Sequence, residues 1–186
     1  HLDPSTYHTS YTDVETGRPR YGNTQQGYAD DSCWSRGQAW GIYGFLLSYI
    51  YTGDRDMIAL SKRLANYFLN RLPEDYVCHW DLALLGTDAL RDSSSAAIAV
   101  CGLLELVKHL PVTDPDRARY QQWAEGIMSS LTKHYLAGSD EACNGLLKHS
   151  VYHLASNKGV DECSSWGDYF YVEALMRVTQ SWKLYW

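Results

Sequence analysis

The residues best suited to chemistry lie in one stretch, residues 25–47, which reads Q-Q-G-Y-A-D-D-S-C-W-S-R-G-Q-A-W-G-I-Y-G-F-L-L. Trp34, Arg36 and Trp40 fall in the first turns of a predicted helix, and the last two share a face because they are four residues apart. If that helix is buried, the arginine must pair with an acid or meet an anionic ligand. A neighbouring tryptophan offers a flat face for stacking. The pattern predicts a binding site for a sugar that carries a carboxylate.

The same spacing allows a second interpretation, in which Arg36 forms a salt bridge with Asp30 or Asp31 and the tryptophans belong to the core. Both aspartates precede the helix, where the backbone amides of the first turn stabilise an ionised carboxylate. An acid catalyst at neutral pH needs the opposite environment. We therefore expect these aspartates to cap the helix and to hold Arg36.

Helical periodicity and end signals predict five helices that position these residues. They span about residues 33–51, 55–72, 94–109, 114–135 and 166–182. Asp54 is expected to cap the second, and Asp114 with a following proline begins the fourth. Residues 5–28 are expected to form a hairpin or an ordered loop. Residues 73–91 and 139–163 are predicted to be long connections, which are usually functional inside a compact domain.

The helices alternate in character, and this alternation predicts the fold class. The first, third and fifth are almost entirely apolar, small or aromatic, whereas the second and fourth carry many charges. A helix that is apolar all round is buried, and a charged amphipathic helix faces water on one side. We predict an all-α fold of helical hairpins in two concentric layers, as in an α/α toroid. No outer helix follows the fifth, so we expect an incomplete ring whose exposed apolar edges cause self-association or marginal stability.

Composition excludes several classes of function. The 186 residues, 45% apolar and 20% charged, predict one globular domain over residues 1–186. The net charge of -6 argues against a nucleic-acid partner. No apolar run long enough for a membrane span and no secretion signal is expected. The chain has 15 Tyr and 7 Trp but only 3 Phe, which favours surfaces that stack on sugars.

The five cysteines are an odd number, and no two of them have a C-x-x-C spacing. We therefore expect neither a disulfide framework nor a zinc site, and no metal or other cofactor is predicted. This cysteine usage favours a reducing compartment. A cytoplasmic location in a bacterium is expected, with a periplasmic or secreted location left open.

Three segments resemble the unsaturated glucuronyl hydrolases of glycoside hydrolase family 88. They are Q-G-Y-A-D-D-S-C-W-S-R-G-Q-A-W-G-I-Y-G at 26–44, R-D-S-S-S-A-A-I-A-V-C-G-L-L-E-L at 91–106 and W-G-D-Y-F-Y-V-E-A-L-M-R at 166–177. Their order and spacing match the second half of that family. The resemblance implies that the chain forms the C-terminal half of an (α/α)6 barrel, with the N-terminal half absent.

The resemblance also implies an activity, that of a hydrolase in glycosaminoglycan degradation. Such enzymes act on oligosaccharides, of chondroitin or hyaluronan type, that end in a 4,5-unsaturated uronic acid. An aspartic acid protonates C4 of the vinyl ether, water adds at C5, and the resulting hemiketal opens. Two alternatives stay open: an unsaturated rhamnogalacturonyl hydrolase, and a non-catalytic uronide-binding protein.

Substrate-binding residues follow from the same resemblance. Four of them stand at the family's intervals of 18, 10 and 4 residues: His8, Gln26, Arg36 and Trp40. Trp34 lies beside them. The two catalytic aspartates of the family would lie upstream of His8. We therefore expect no catalytic residue in this chain, and we expect the fragment alone to be inactive.

A loop near the end of the chain partly resembles a Ser-x-x-Ser-x-Lys loop that accepts sulfated sugars in some members. Ser156 and Lys158 match it, and His153 replaces the first serine. A lysine is a suitable point charge for a sulfate group, although a solvated loop lysine is an equally open interpretation. Asp168, in the segment W-G-D-Y, is expected to be structural.

Overall fold

The structure is a computed structural model that describes residues 3–139 and 143–185 of the chain. Five α-helices form its main elements: α1 (Ser35–Thr52), α2 (Arg55–Leu69), α3 (Ser93–His109), α4 (Pro115–Ser130) and α5 (Ser165–Thr179). Four short strands accompany them: β1 (Thr9–Thr12), β2 (Pro19–Asn23), β3 (Ser150–His153) and β4 (Lys158–Glu162). The strands form two separate antiparallel hairpins.

Short polar side chains fix where most helices begin. Asp54 and Asp114 each accept a hydrogen bond from the backbone amide two residues on, at 2.9 Å. Ser164 accepts one from the amide of Gly167 at 3.2 Å. Each cap satisfies an amide that has no partner within its helix. The predicted helix starts are therefore confirmed to within two residues.

Helix ends are less well predicted because packing sets them as much as sequence signals do. α2 ends at Leu69, three residues before the expected end, and α5 ends at Thr179. Beyond α4 the chain continues to Tyr135 as a π-helical turn, Leu131–Tyr135. α1 ends as expected at Gly53, whose positive φ of 73° allows its amide to bond to the carbonyl of Tyr49.

The helices form two layers. α1, α3 and α5 lie side by side, α2 covers α1, and α4 covers α3. Every residue of α3 from Ser93 to Leu106 is buried, as expected for an inner helix. α1 and α3 approach closely at Gly102, where a Cβ would lie 3.2 Å from the backbone nitrogen of Tyr43. The predicted alternation of buried and exposed helices is confirmed.

A buried ionic cluster ties the inner helices together away from their N-termini. Arg177 of α5 pairs with Glu173 at 2.8 Å and also with Glu105 of α3. Its guanidinium donates to the hydroxyl of Tyr43 on α1 at 2.7 Å. Removing one member would leave a buried charge without its partner, which costs about 3–5 kcal/mol. The cluster therefore fixes the relative register of α1, α3 and α5.

In the long connection before α5, the structure contradicts the prediction made from the cysteines. Cys143 and Cys163 form a disulfide, whereas the odd cysteine count and the spacing argued against a disulfide framework. The β3–β4 hairpin folds the chain back on itself and brings these distant cysteines together, which a search for close spacing cannot detect. Cys33, Cys78 and Cys101 are free and buried, which is typical of unpaired cysteines.

Candidate functional site

The N-terminal ends of α1, α3 and α5 meet at one end of the molecule, together with the loops that precede them. A pocket of about 260 Å³ lies there. Residues from the loop before α1, from α1 itself, from β3 and from the start of α5 line it: Gln26, Trp34, Arg36, Trp40, Tyr152 and Trp166. Four of these six are aromatic, and four were predicted from the sequence as members of one site.

Arg36 lies at the centre of this pocket wall. Its side chain is buried, and its guanidinium carbon lies 4.7 Å from the ring centre of Trp34 and 5.2 Å from that of Trp166. Both distances are within the range of a cation–π contact. Nη1 donates to Oδ2 of Asp92 at 2.8 Å, and both side chains are almost fully buried. The arginine is therefore paired with an acid inside the protein.

The remaining hydrogen bonds of Arg36 hold two other parts of the structure in place. Nη1 also donates to the carbonyl of Val151 at 2.9 Å, and Nη2 donates to the carbonyl of Tyr152 at 3.2 Å. Nη2 further donates to Oε1 of Gln26 at 3.1 Å. The terminal nitrogens are thus occupied by protein acceptors. Arg36 connects the loop before α1 with strand β3.

The predicted partners of Arg36 were wrong. Asp30 accepts instead from the amide of Thr24 at 3.0 Å, and α1 begins without a side-chain cap. Asp92, 56 residues further along the chain, takes the place expected for Asp30 or Asp31. Spacing along the sequence favours nearby partners, whereas the side-by-side packing of α1 and α3 decides which carboxylate is close.

His8 holds the loop that carries Gln26. Its Nδ1 accepts hydrogen bonds from the backbone amides of Gln25 and Gln26, both at 3.1 Å. Two donors at Nδ1 require the neutral tautomer with its proton on Nε2, assigned from this network. Burial, the charge of Arg36 and nearby His153 lower the pKa of His8 below its ordinary value. The ring stacks on Trp34 with 4.2 Å between centres.

Two aromatic members of the pocket were missed by sequence reasoning, which singled out Trp34 and Trp40. Trp166 donates from Nε1 to the hydroxyl of Ser94 at 3.1 Å, and its ring centre lies 5.6 Å from that of Tyr152. The high content of tyrosine and tryptophan was the available signal, but it does not say which rings converge. Trp40 is 38% exposed and packs edge-on against Phe170.

Ser156 and Lys158 lie outside the pocket lining, in the turn and the first residue of β4. Ser156 bonds through Oγ to Nδ1 of His153, and Nε2 of that histidine contacts the carbonyl of Gln25. The turn is therefore tied to the residue beside Gln26. Over residues 3–139 and 143–185, Lys158 forms no ion pair.

The carboxylates near the pocket are already engaged. Asp92 is buried and paired with Arg36. Asp168 accepts from the amides of Leu146 and Leu147 at 3.0 and 2.9 Å, in agreement with the structural role expected for it. No carboxylate is among the residues that line the pocket in the described part of the chain. The pocket can therefore bind and orient a ligand, but it holds no free acid or base of carboxylate type.

A larger cleft of about 700 Å³ is lined by a different set of residues. Its charged groups are largely paired with each other: Arg91 with Asp75 at 3.0 Å, and His149 with Asp161 at 2.7 Å. Because these charges already satisfy one another, size alone does not make this cleft the better site. We consider the smaller aromatic pocket the functional one.

The described residues show neither a metal site nor a membrane span. No group of three or more His, Cys, Asp or Glu side chains among them is placed to hold a metal ion. None of the helices in that part of the chain is long and apolar enough to cross a membrane.

The chain is similar over nearly its whole length to known hydrolases. It is 50% identical over 185 residues to the unsaturated chondroitin disaccharide hydrolase of Streptococcus pneumoniae, covering 99% of this chain and 47% of that protein. It is 42% identical to the unsaturated glucuronyl hydrolase of Bacillus sp. strain GL1, of which it covers 49%. The chain thus spans about half the length of these relatives. No family model matches it.

Solved structures give the same result for the fold. A mutant unsaturated glucuronyl hydrolase from Streptococcus agalactiae, complexed with dGlcA-GalNAc6S, superposes with a TM-score of 0.89 at 50% identity, over all of this chain and 50% of that one. The enzyme from Bacillus sp. GL1 superposes with a TM-score of 0.91 at 42% identity, over 96% of this chain and 48% of that one. The resemblance and the fold class predicted from the sequence are confirmed.

Proposed function

We infer that the chain belongs to the unsaturated glucuronyl hydrolases and forms about half of such an enzyme. We propose that it supplies the substrate-binding wall for an oligosaccharide that ends in a 4,5-unsaturated uronic acid, of chondroitin or hyaluronan type. The observation that carries this proposal is the aromatic pocket around Arg36. Gln26, Trp34 and Trp40 line it, and His8 holds the loop that carries Gln26; these are the residues that the sequence selected as substrate-binding.

The polar groups of the pocket suit a ligand rich in oxygen acceptors. Gln26 accepts from Arg36 through Oε1, so its amide nitrogen remains as a donor. His8 accepts at Nδ1, which leaves Nε2–H as a second donor. The carboxylate and hydroxyls of a uronic acid are acceptors for such groups, and the apolar faces of a sugar ring can stack on the indoles.

The proposed reaction needs a group that this pocket does not provide. Hydration of the vinyl ether begins with transfer of a proton from a carboxylic acid to C4, followed by addition of water at C5. Because the carboxylates near the pocket are engaged in ion pairs or hydrogen bonds, we propose that the catalytic aspartates belong to a part of the enzyme outside this chain. The chain then binds and orients the sugar.

The lack of a free carboxylate also favours a second candidate, a protein that binds unsaturated uronides without turning them over. Ser156 and Lys158 would extend either site toward a sulfated sugar, because the turn that holds them is tied to Gln25. In both cases the ligand class is the same. The two candidates are separated only by an assay of turnover in which the rest of the enzyme is added to this chain.

An unsaturated chondroitin disaccharide, titrated into the chain, tests the proposal through tryptophan fluorescence and absorbance of the unsaturated uronate. We expect saturable binding without loss of absorbance. Trp40→Ala should weaken binding about tenfold because it removes a stacking face. Tyr51→Ala, on the exposed C-terminal end of the same helix, is the matched control and should bind normally.

Three results would contradict this proposal. Loss of absorbance at enzyme-like rates would mean that a carboxylate of this chain does the chemistry. Absence of binding would mean that the chain does not bind unsaturated uronides. Preference for an unsaturated rhamnogalacturonan disaccharide would move the protein to the related rhamnogalacturonyl class.

A further inference from the structure

Asp92 lies where the N-terminal ends of the three inner helices meet. It is fully buried and directly precedes α3. Its Oδ1 accepts from the amides of Ser94 and Ser95, and its Oδ2 accepts from Arg36 and from the hydroxyl of Ser95, both at 2.8 Å. We propose that Asp92 is a positioning residue of the pocket, which acts on the ligand through Arg36.

The first step of this proposal is that Asp92 itself does not line the pocket, whereas Arg36 does. The carboxylate compensates a guanidinium that is only 3% exposed. Without that charge, the buried cation would be left without an ionic partner, a strongly unfavourable arrangement. Asp92 therefore determines whether Arg36 keeps its place between Trp34 and Trp166.

The second step is that Arg36, once held in place, fixes pocket groups that would contact the ligand. Its Nη2 fixes the side chain of Gln26, in the loop before α1, and the carbonyl of Tyr152, in strand β3. A shift of the guanidinium would release both contacts together. Pocket shape and donor direction would change, although no ligand contact had been removed directly.

A second, shorter route leads from Asp92 to another wall of the pocket. The hydroxyl of Ser94 donates to Oδ1 of Asp92 and accepts from Nε1 of Trp166. The same carboxylate thus supports residues of α1 and α5 from the start of α3. The hydroxyl of Ser94 also accepts from Nη1 of Arg36 at 3.2 Å, so both routes share the guanidinium and should lose most of their effect when Arg36 is replaced.

A double-mutant cycle distinguishes positioning through Arg36 from simple capping of α3. Asp92→Asn keeps an acceptor for the helix amides but loses the charge. The binding measurements in this test rest on the proposed function, because their ligand is the unsaturated disaccharide. We expect Asp92→Asn to weaken binding of the unsaturated chondroitin disaccharide about tenfold in the wild-type background and by about twofold or less in an Arg36→Gln background.

Asp114→Asn is the matched control, since Asp114 also caps a helix and forms an ion pair, with Lys62 at 2.7 Å, but lies away from the pocket. It should leave binding unchanged in both backgrounds. Equal weakening by Asp92→Asn with and without Arg36 would show a capping role and overturn the proposal. So would normal binding by Asp92→Asn.

A readout without ligand keeps this test separate from the proposed function. Near-ultraviolet circular dichroism reports the packing of Trp34 and Trp166 around Arg36. Asp92→Asn and Arg36→Gln should change the tryptophan bands similarly, and the double variant should add little. If this coupling is seen but the wild type binds no uronide, the proposed function fails and the positioning role stands. Additive changes would overturn the positioning role.

A second variant covers the case in which Asp92→Asn does not fold, as judged by far-ultraviolet circular dichroism. Arg36→Lys retains one positive charge for Asp92 but cannot reach Gln26 and the carbonyl of Tyr152 at the same time. It should fold and lose about the same tenfold in affinity. Wild-type affinity in Arg36→Lys would overturn the proposal.

Discussion

His8 shows how a single protonation state can control the pocket. Its Nδ1 accepts two backbone amides of the loop that holds Gln26. A protonated imidazole has no acceptor at that position, so protonation breaks both bonds at once. Since the folded protein lowers the pKa of His8, the neutral ring is favoured in the native state. The loop is therefore stable above the ordinary pKa of histidine and is weakened as the pH falls below it.

From this we expect ligand affinity to fall by about tenfold between pH 7 and pH 5, the equivalent of losing one or two net hydrogen bonds. Titration of the unsaturated disaccharide over this range measures the effect. His8→Asn places an amide oxygen near the position of Nδ1 and removes the titration, so its affinity should vary little with pH. Arg36 and His153 are the charged or titratable groups that face His8.

His153→Gln separates the contribution of that second histidine. If the pH dependence persists unchanged in His8→Asn and disappears in His153→Gln, His153 and not His8 is the titrating group. A flat profile in the wild-type protein would contradict the role of His8 altogether.

At the residue scale, the sequence identifies the type of site better than it identifies the ion pairs and hydrogen bonds within that site. Trp34, Arg36 and Trp40 could be grouped because one helix carries them at helical spacing. Asp92 and Trp166 could not, because they join the site only through packing of α3 and α5 against α1. The pairing of a buried charge depends on contacts far apart in sequence, which local spacing does not contain.

At the scale of elements, the β3–β4 hairpin gives the pocket one of its walls. It presents the carbonyls of Val151 and Tyr152 to Arg36. The disulfide between Cys143 and Cys163 closes the segment that contains this hairpin. A cross-link over 20 residues stabilises the folded state by about 3 kcal/mol, chiefly by restricting the unfolded chain.

We therefore expect reduction, or the Cys143→Ser/Cys163→Ser double variant, to lower the melting temperature by about 6–12 °C for a chain of this size. Differential scanning calorimetry measures the change. Cys78→Ser is the comparison: this buried thiol is free, so the variant keeps the disulfide and reduction should lower its melting temperature by as much as it lowers that of the wild type.

Thiol titration in denaturant, before and after reduction, counts the free cysteines directly. We expect three reactive thiols before reduction and five after it, since three cysteines are free and two are joined. Five thiols in the untreated protein would contradict the disulfide.

The helices were predictable because their start signals are local. An aspartate or serine followed by an apolar periodic run marks a helix wherever it occurs, and α2, α4 and α5 begin in this way. The second hairpin was not predictable, because its strands have only four and five residues and an irregular register. Asp161, with a positive φ of 61°, lies at that irregularity.

At the scale of the whole molecule, the layered architecture followed from the alternating polarity of the helices alone. α5 is the informative exception. It packs against α3, but no outer helix covers it in the part of the chain that the structure describes. Its outward face carries Tyr169, Val172 and Met176, at 38–43% exposure. Together with Leu146 and Trp182 they form a mostly apolar groove.

An apolar stripe of this kind on an inner helix favours association, because each residue gains by leaving water. We expect the chain, studied by itself, to self-associate with rising concentration in sedimentation-velocity experiments. Met176→Glu should shift it toward the monomer by placing a charge in the middle of the stripe. Val112→Glu is the matched control, since Val112 is 83% exposed in the connection between α3 and α4, and it should leave association unchanged. A compact monomer at all concentrations, with a high melting temperature, would mean that this stripe is tolerated in water and that the inner layer is stable without a further covering element.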